Sequence, residues 1–400
     1  MPDRSTRRRL VVTQSYEETR RTTWLEFFFD LVFIVVVFRL GQVLLDDSSM
    51  HGVLVFAGLM AVMWWLWLSF TYLGDLFDND RPPSRLVQLL AMLGVLSLSA
   101  ILEGGLGHPD RFALIYGLLL TMLALLYAAA GWIDTDIRVF CWWFSCGFLA
   151  GALLWFGSLL VPDPVRYLFW AAALVLNAAA APLAYVRAPQ VPAQQSHLPE
   201  RFGFFTIVVL GDAILAVANG IATTGWNPGA VTIGLAGFVV AGGIWWLYFL
   251  LIFDREAANR VLRADRRRLL TSFLYSYGHL PLHTAIVVAG VGVELAARES
   301  AGQPQAAADP LLGGSQIALG VGFLLVSRGI GRRPTLPAVV AQVALVASGL
   351  LIALGGFPPR AMVILFAAGC VVLVVAVELT RLRRPVPAAD ADADGNRQGV

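Results

Sequence analysis

The chain has 400 residues, 58% of them hydrophobic and 14% charged, with a mean hydropathy of +0.71, whereas soluble domains carry about 25% charged and about 45–50% apolar residues. Composition alone therefore assigns it to the membrane. All 29 basic residues are arginine, which excludes lysine chemistry such as a P-loop phosphate grip or a Schiff base, and a net charge of +2 with scattered arginines offers no nucleic-acid-binding face.

A membrane-spanning helix needs about 20 predominantly apolar residues, and the chain divides into twelve such runs. A cytoplasmic N-terminal segment, 1–23, precedes the first run, 24–45, which carries Glu26, Asp30 and Arg39. That run is long and lacks a small-residue cleavage site, so it is expected to stay attached as a span. The second run, 52–73, contains Trp64 and Trp65; runs at 86–104, 111–131, 138–160 and 164–186 complete a first half. A connector, 187–201, ends in "SHLPER", where proline and Glu200 suit a helix start and Arg201 is expected at the cytoplasmic face. The second half, 202–384, has runs at 202–221 with Asp212, 229–253 with Trp245 and Trp246, and 269–297 with His279, Pro281, His283 and Glu294. Runs at 312–330, 335–354 and 359–380 follow, the last two joined by "GGFPPR" as a tight turn, and 385–400 is expected to be a disordered tail because it has almost nothing to bury. The runs are too long for barrel strands and show no alternation, so the expected fold is an all-α integral membrane protein.

Arginine placement fits this division. Alternate connectors on one side collect 24 of the 29 arginines, six of them in "DREAANRVLRADRRR", which places both termini in the cytoplasm by the inside-positive rule. An internal repeat is also suggested: Trp64 and Trp65 match Trp245 and Trp246 at an offset of 181, and Asp30 matches Asp212 at 182. Two parallel six-helix halves follow from that reading, although tryptophans near helix ends also serve simply as headgroup anchors.

Carboxylates inside hydrocarbon are costly unless they face protein or water, which makes them functional candidates. Glu26 and Asp30 are four residues apart and share a helix face, while Arg39, nine beyond Asp30, points nearly opposite and is expected to snorkel or to cross-link another helix. If the halves are symmetric, Asp30 and Asp212 converge centrally as a proton relay or cation site; the competing reading is that each only hydrogen-bonds a neighbouring helix. His279 and His283 have zinc-helix spacing but no HExxH pattern or nearby third ligand, so they are read as partners of the Pro281 kink or as proton-exchanging groups. Glu294 extends the same face roughly 16 Å further, a candidate polar stripe. No metal or cofactor is implied, and the three cysteines, in apolar runs, suggest no disulfide framework.

Two stretches carry a family resemblance. "TTWLEFFFDLVFIVVVFRLGQVL" resembles the opening signature of the low temperature requirement protein A (LtrA) family, and "HLPERFGFFTIVVLGDAILAV" resembles its mid-chain signature. The likeness covers about residues 20–380. It departs at Asp212 and Ala213, where the family pattern has glutamate and serine, so the carboxylate is kept with a shorter reach and the hydroxyl is lost. The resemblance implies a bacterial multi-pass membrane protein and brings no established activity.

Three function classes follow. A secondary transporter or an ion- or proton-conducting protein uses the intramembrane carboxylates and takes a small cation or proton as partner beside the lipid bilayer. A sensor or scaffold uses the basic connector, 255–268, toward anionic lipid or a protein. A lipid-acting enzyme is disfavoured, since neither HxxxxD nor HExxH occurs. Oligomeric state is open.

Overall fold

Helix starts in this chain are written in prolines and caps. Pro82, Pro109, Pro228 and Pro359 open helices where the missing N–H costs nothing. Thr23 and Glu26 form a reciprocal capping box at the first helix, with the Thr23 N–H donating to Glu26 Oε2 at 2.9 Å and the Glu26 N–H to Thr23 Oγ1 at 3.3 Å. The structure, a computed structural model, describes residues 23–76, 82–188, 198–253, 258, 269–303, 308–331 and 335–382. Among these are twelve helices and no strand. They are α1 Trp24–Asp46, α2 Met50–Leu76, α3 Pro82–Ile101, α4 Pro109–Ile133, α5 Arg138–Gly157, α6 Val165–Arg187, α7 Leu198–Thr223, α8 Pro228–Leu247, α9 Leu269–Ser300, α10 Ala308–Gly329, α11 Leu336–Ala353 and α12 Pro359–Leu382. A 3₁₀ turn, Ser158–Leu160, extends α5, and a π-helical turn, Tyr248–Ile252, extends α8.

All twelve are long and apolar enough to cross a membrane. Leucines such as Leu125, Leu168 and Leu235 are more than half exposed on their outer faces, which suits lipid and would be costly in water. The protein is an all-α, multi-pass membrane protein, as its composition and apolar runs predict. The "GGFPPR" turn forms with Gly355 and Gly356 at φ of +82° and +91°, a backbone region closed to most side chains.

Two helix pairs hold a constant register. Asp30 of α1 meets Arg201 of α7, and eleven residues later Gly41 meets Asp212. Phe202, Thr206 and Ala213 of α7 meet His279, His283 and Gly290 of α9 in turn. Both pairs are therefore parallel, and α9 is the most enclosed span, with 83% of its apolar window buried. Glycines set these distances: a Cβ on Gly290 would sit 2.8 Å from Ala213 Cα, and one on Gly322 of α10 would sit 2.9 Å from Leu282 Cα. The helices α4, α5 and α6 pack mainly on one another and touch the rest more lightly.

Two details differ from the reading of the sequence. The connector predicted at 187–201 ends earlier, because α7 begins at Leu198 and carries Glu200 and Arg201 in its first turn. The two tryptophan pairs occupy different surroundings: Trp64 and Trp65 are buried at 1% and 5% exposure, whereas Trp245 and Trp246 are each 48% exposed. The N-terminal arginines, the 385–400 tail and the 255–268 connector, save Ala258, lie outside the described residues.

Candidate functional site

Between α1, α2, α7 and α9 the polar side chains lie in layers. In the first, Asp30 on α1 is 2% exposed, and its Oδ1 accepts from Trp67 Nε1 on α2 and from Arg201 Nη2 on α7, each at 2.7 Å. Arg201, itself 2% exposed, also reaches Thr71 Oγ1 at 3.4 Å and lies over the Phe29 ring, 6.0 Å from its centre. Buried charges of this kind persist only when paired. Among the described residues Asp30 Oδ2 and Arg201 Nε have no hydrogen-bond partner. Glu26, one turn before Asp30, is fully buried.

The second layer lies about 8 Å further along α7. His283 Nδ1 is 3.0 Å from Trp64 Nε1, and its Nε2 is 2.9 Å from Thr206 Oγ1. An indole N–H can only donate, so His283 Nδ1 accepts and the neutral ring carries its proton on Nε2. His279 has the opposite arrangement. Its Nδ1 faces the Tyr275 carbonyl at 2.7 Å, which can only accept, so Nδ1 holds the proton, and Nε2 lies 3.1 Å from the Tyr248 hydroxyl. The His279 ring also stacks on Phe202, centroids 4.1 Å apart. Every ring nitrogen of the pair thus faces a hydrogen-bonding group of the protein. Among the described residues no group of three potential metal ligands comes together.

The third layer holds Asp212. It is 7% exposed, its Oδ2 lies 3.4 Å from where a Cβ on Gly41 would stand, and it has no hydrogen-bond or ion-pair partner among the described residues. Glu294 on α9 is buried as well and is bound by Arg298 one turn later at 2.5 Å. The neighbouring Gly220 of α7 lets the Glu294 backbone approach to 3.4 Å from its Cβ position.

The structure does not bring Asp30 and Asp212 together. Asp212 stands beside Gly41, eleven residues beyond Asp30 on the same helix, an axial separation of about 16 Å. Nor do the histidines and Glu294 share one continuous chain: His279 and His283 face Tyr248, Trp64 and Thr206, while Glu294 turns to Arg298. Arg39 pairs with Glu103 at 3.4 Å, side chains 29% and 67% exposed, a surface contact of small energetic weight. Trp246 donates to Glu378 at 3.0 Å and Trp65 packs edge-on against Tyr277. Glu200 sits in the first turn of α7, where its charge complements the helix dipole.

Sequence reading missed Trp67, Thr71, Thr206 and Tyr248. A signal for Trp67 existed: in "MWWLWL" Trp64 and Trp67 are three apart and share a face, whereas the adjacent Trp64 and Trp65 cannot.

The family described as bacterial low temperature requirement A protein matches residues 21–379. An uncharacterized protein of Rhizobium meliloti (strain 1021) is 27% identical over 279 residues, 67% of this chain and 67% of its own length. No solved structure matches. Asp30 and Arg201, the buried ion pair at the centre of the first layer, come from the opening and mid-chain stretches of that matched span, and the chain belongs to the bacterial low temperature requirement A (LtrA) family.

Proposed function

We propose that this chain is a secondary transporter or an ion- or proton-conducting protein of the bacterial inner membrane, with both termini in the cytoplasm. One observation carries the reading: Asp212, enclosed within the bundle at 7% exposure, has no hydrogen-bond or ion-pair partner among the described residues. A carboxylate held in hydrocarbon without a resident counter-charge takes up a proton or a cation. Glu294 on α9 adds a second buried acidic group, paired with Arg298. In this reading Asp30 and Arg201 form a closed lock across the same helices, with Glu26 at the entrance; the lock opens when Asp30 exchanges Arg201 for the ion. The two halves, 24–186 and 202–384, with six spans each, belong to the same proposal.

The test is flux into liposomes reconstituted with the full chain, measured separately for protons, sodium and potassium. Wild type is expected to pass one of them, and Asp212→Asn to abolish that flux while eluting as an intact, monodisperse protein. Wild-type liposomes no leakier than empty ones, or an Asp212→Asn variant with unchanged flux, would remove the reading.

A further inference from the structure

A cavity of about 670 Å³ opens at the end of the bundle opposite the start of α1, within the range of about 300–1,000 Å³ that small-molecule sites occupy. Its floor is the α2 face of Val55, Gly58, Leu59 and Val62, and α6 closes it with Ala171 and Leu174. A Cβ at Gly58 would meet nothing within 4 Å, so this glycine leaves open room in the cavity wall. The opening has a different chemistry. Asp46 and Asp47 line it from the end of α1, with His51 beside them and the Tyr167 ring, 41% exposed, across the gap.

The acidic charge at this opening is not cancelled by the nearby arginines. Arg39 is bound to Glu103 at 3.4 Å and Arg166 to Asp163 at 3.6 Å. Asp47 accepts the Ser49 N–H at 3.0 Å, and the Ser49 hydrogen bonds hold its carboxyl below the usual carboxylate range, so it is ionised at neutral pH. An apolar chamber with two carboxylates and an exposed aromatic ring at its mouth matches one kind of ligand: a compact apolar body carrying a single delocalised or quaternary positive charge.

We propose that this cavity binds an amphiphilic organic monocation, with Asp46 and Asp47 holding the charge, Tyr167 facing it, and the Gly58 wall taking the apolar body. The proposal concerns binding alone and stands whether or not an ion crosses at Asp212.

The probe is radiolabelled tetraphenylphosphonium, measured on the full chain in phosphatidylcholine nanodiscs with protein-free nanodiscs subtracted. Saturable binding is expected. The Asp46→Asn, Asp47→Asn double variant should weaken it by about threefold or more, the scale set by losing two solvent-exposed charge contacts. Tetraphenylborate, an anion of the same shape, should not compete. Gly58→Trp should block binding because its side chain grows into open space, while Gly58→Ala should leave it intact, which separates occlusion from misfolding. The proposal is overturned if wild type binds no more than empty nanodiscs, if the double variant and Gly58→Trp bind as wild type does, or if tetraphenylborate competes equally. Binding that vanishes when phosphatidylethanolamine is added to the nanodisc would assign the chamber to a lipid amine instead, and would equally overturn it.

Discussion

Arg201 Nη2 lies 2.7 Å from Asp30 Oδ1, joining α7 to α1 between side chains that are both 2% exposed. Each charge is tolerable only because the other is there. Removing one partner of a buried pair strands the other and costs about 3–5 kcal/mol, whereas replacing both with apolar groups of similar size is often close to neutral. Arg201→Met and Asp30→Leu are therefore each expected to lower the unfolding midpoint sharply, and the double variant to recover much of the loss. Unfolding of the three variants in detergent, closed into a double-mutant cycle, gives the coupling; a double variant no better than the worse single one would refute the pairing.

The two histidines are predicted to differ in the state of Nδ1, protonated on His279 where it faces a carbonyl and unprotonated on His283 where it faces an indole N–H. Nitrogen NMR of histidine-labelled protein distinguishes the two forms directly. Two rings of the same tautomer would show that the hydrogen-bond assignment is wrong.

Trp64 and Trp245 should respond differently to the same change. Trp64→Phe removes the donor to His283 Nδ1 in the core, and leaving a buried polar atom unsatisfied costs about 1–3 kcal/mol. Trp245→Phe alters a half-exposed ring on the outer face and should be nearly neutral. Equal losses of thermal stability would restore the equivalence suggested by their sequence spacing.

Gly329 and Gly211 make a second contrast. A Cβ on Gly329 would collide with the Tyr275 backbone of α9, which cannot yield, whereas one on Gly211 meets nothing within 4 Å. Gly329→Ala should destabilise by about 1–3 kcal/mol through overpacking, and Gly211→Ala should be neutral or slightly stabilising as a better helix former. Melting curves of the two variants decide it.

The helices were legible in the sequence because each span must be a long, nearly continuous apolar run, and the runs beginning at Trp24, Arg138 and Pro359 match the structure closely. The partners of the buried charges were not. Linear offset aligned Asp30 with Asp212, but Asp30 lies six residues into α1 and Asp212 fourteen into α7, so parallel packing sets them at different depths. Arg201 looked like a topology signal in a connector because nothing local shows that α7 begins three residues before it. Its partner comes from a helix 171 residues away, a relationship that periodicity within one segment cannot encode. The histidine spacing was visible, yet its meaning depended on indole, hydroxyl and carbonyl groups from three helices and one π-helical turn.

The light attachment of α4, α5 and α6 has a mechanical consequence. The ion pair, the histidine hydrogen bonds and the close-set glycines join α1, α7 and α9 at short range. The α4–α6 trio meets α2 more lightly, with the Tyr116 hydroxyl donating to the Val62 carbonyl at 2.9 Å. The compliant seam of the molecule therefore runs along the mouth lined by Asp47 and Tyr167, and whatever breathing this protein does should begin there.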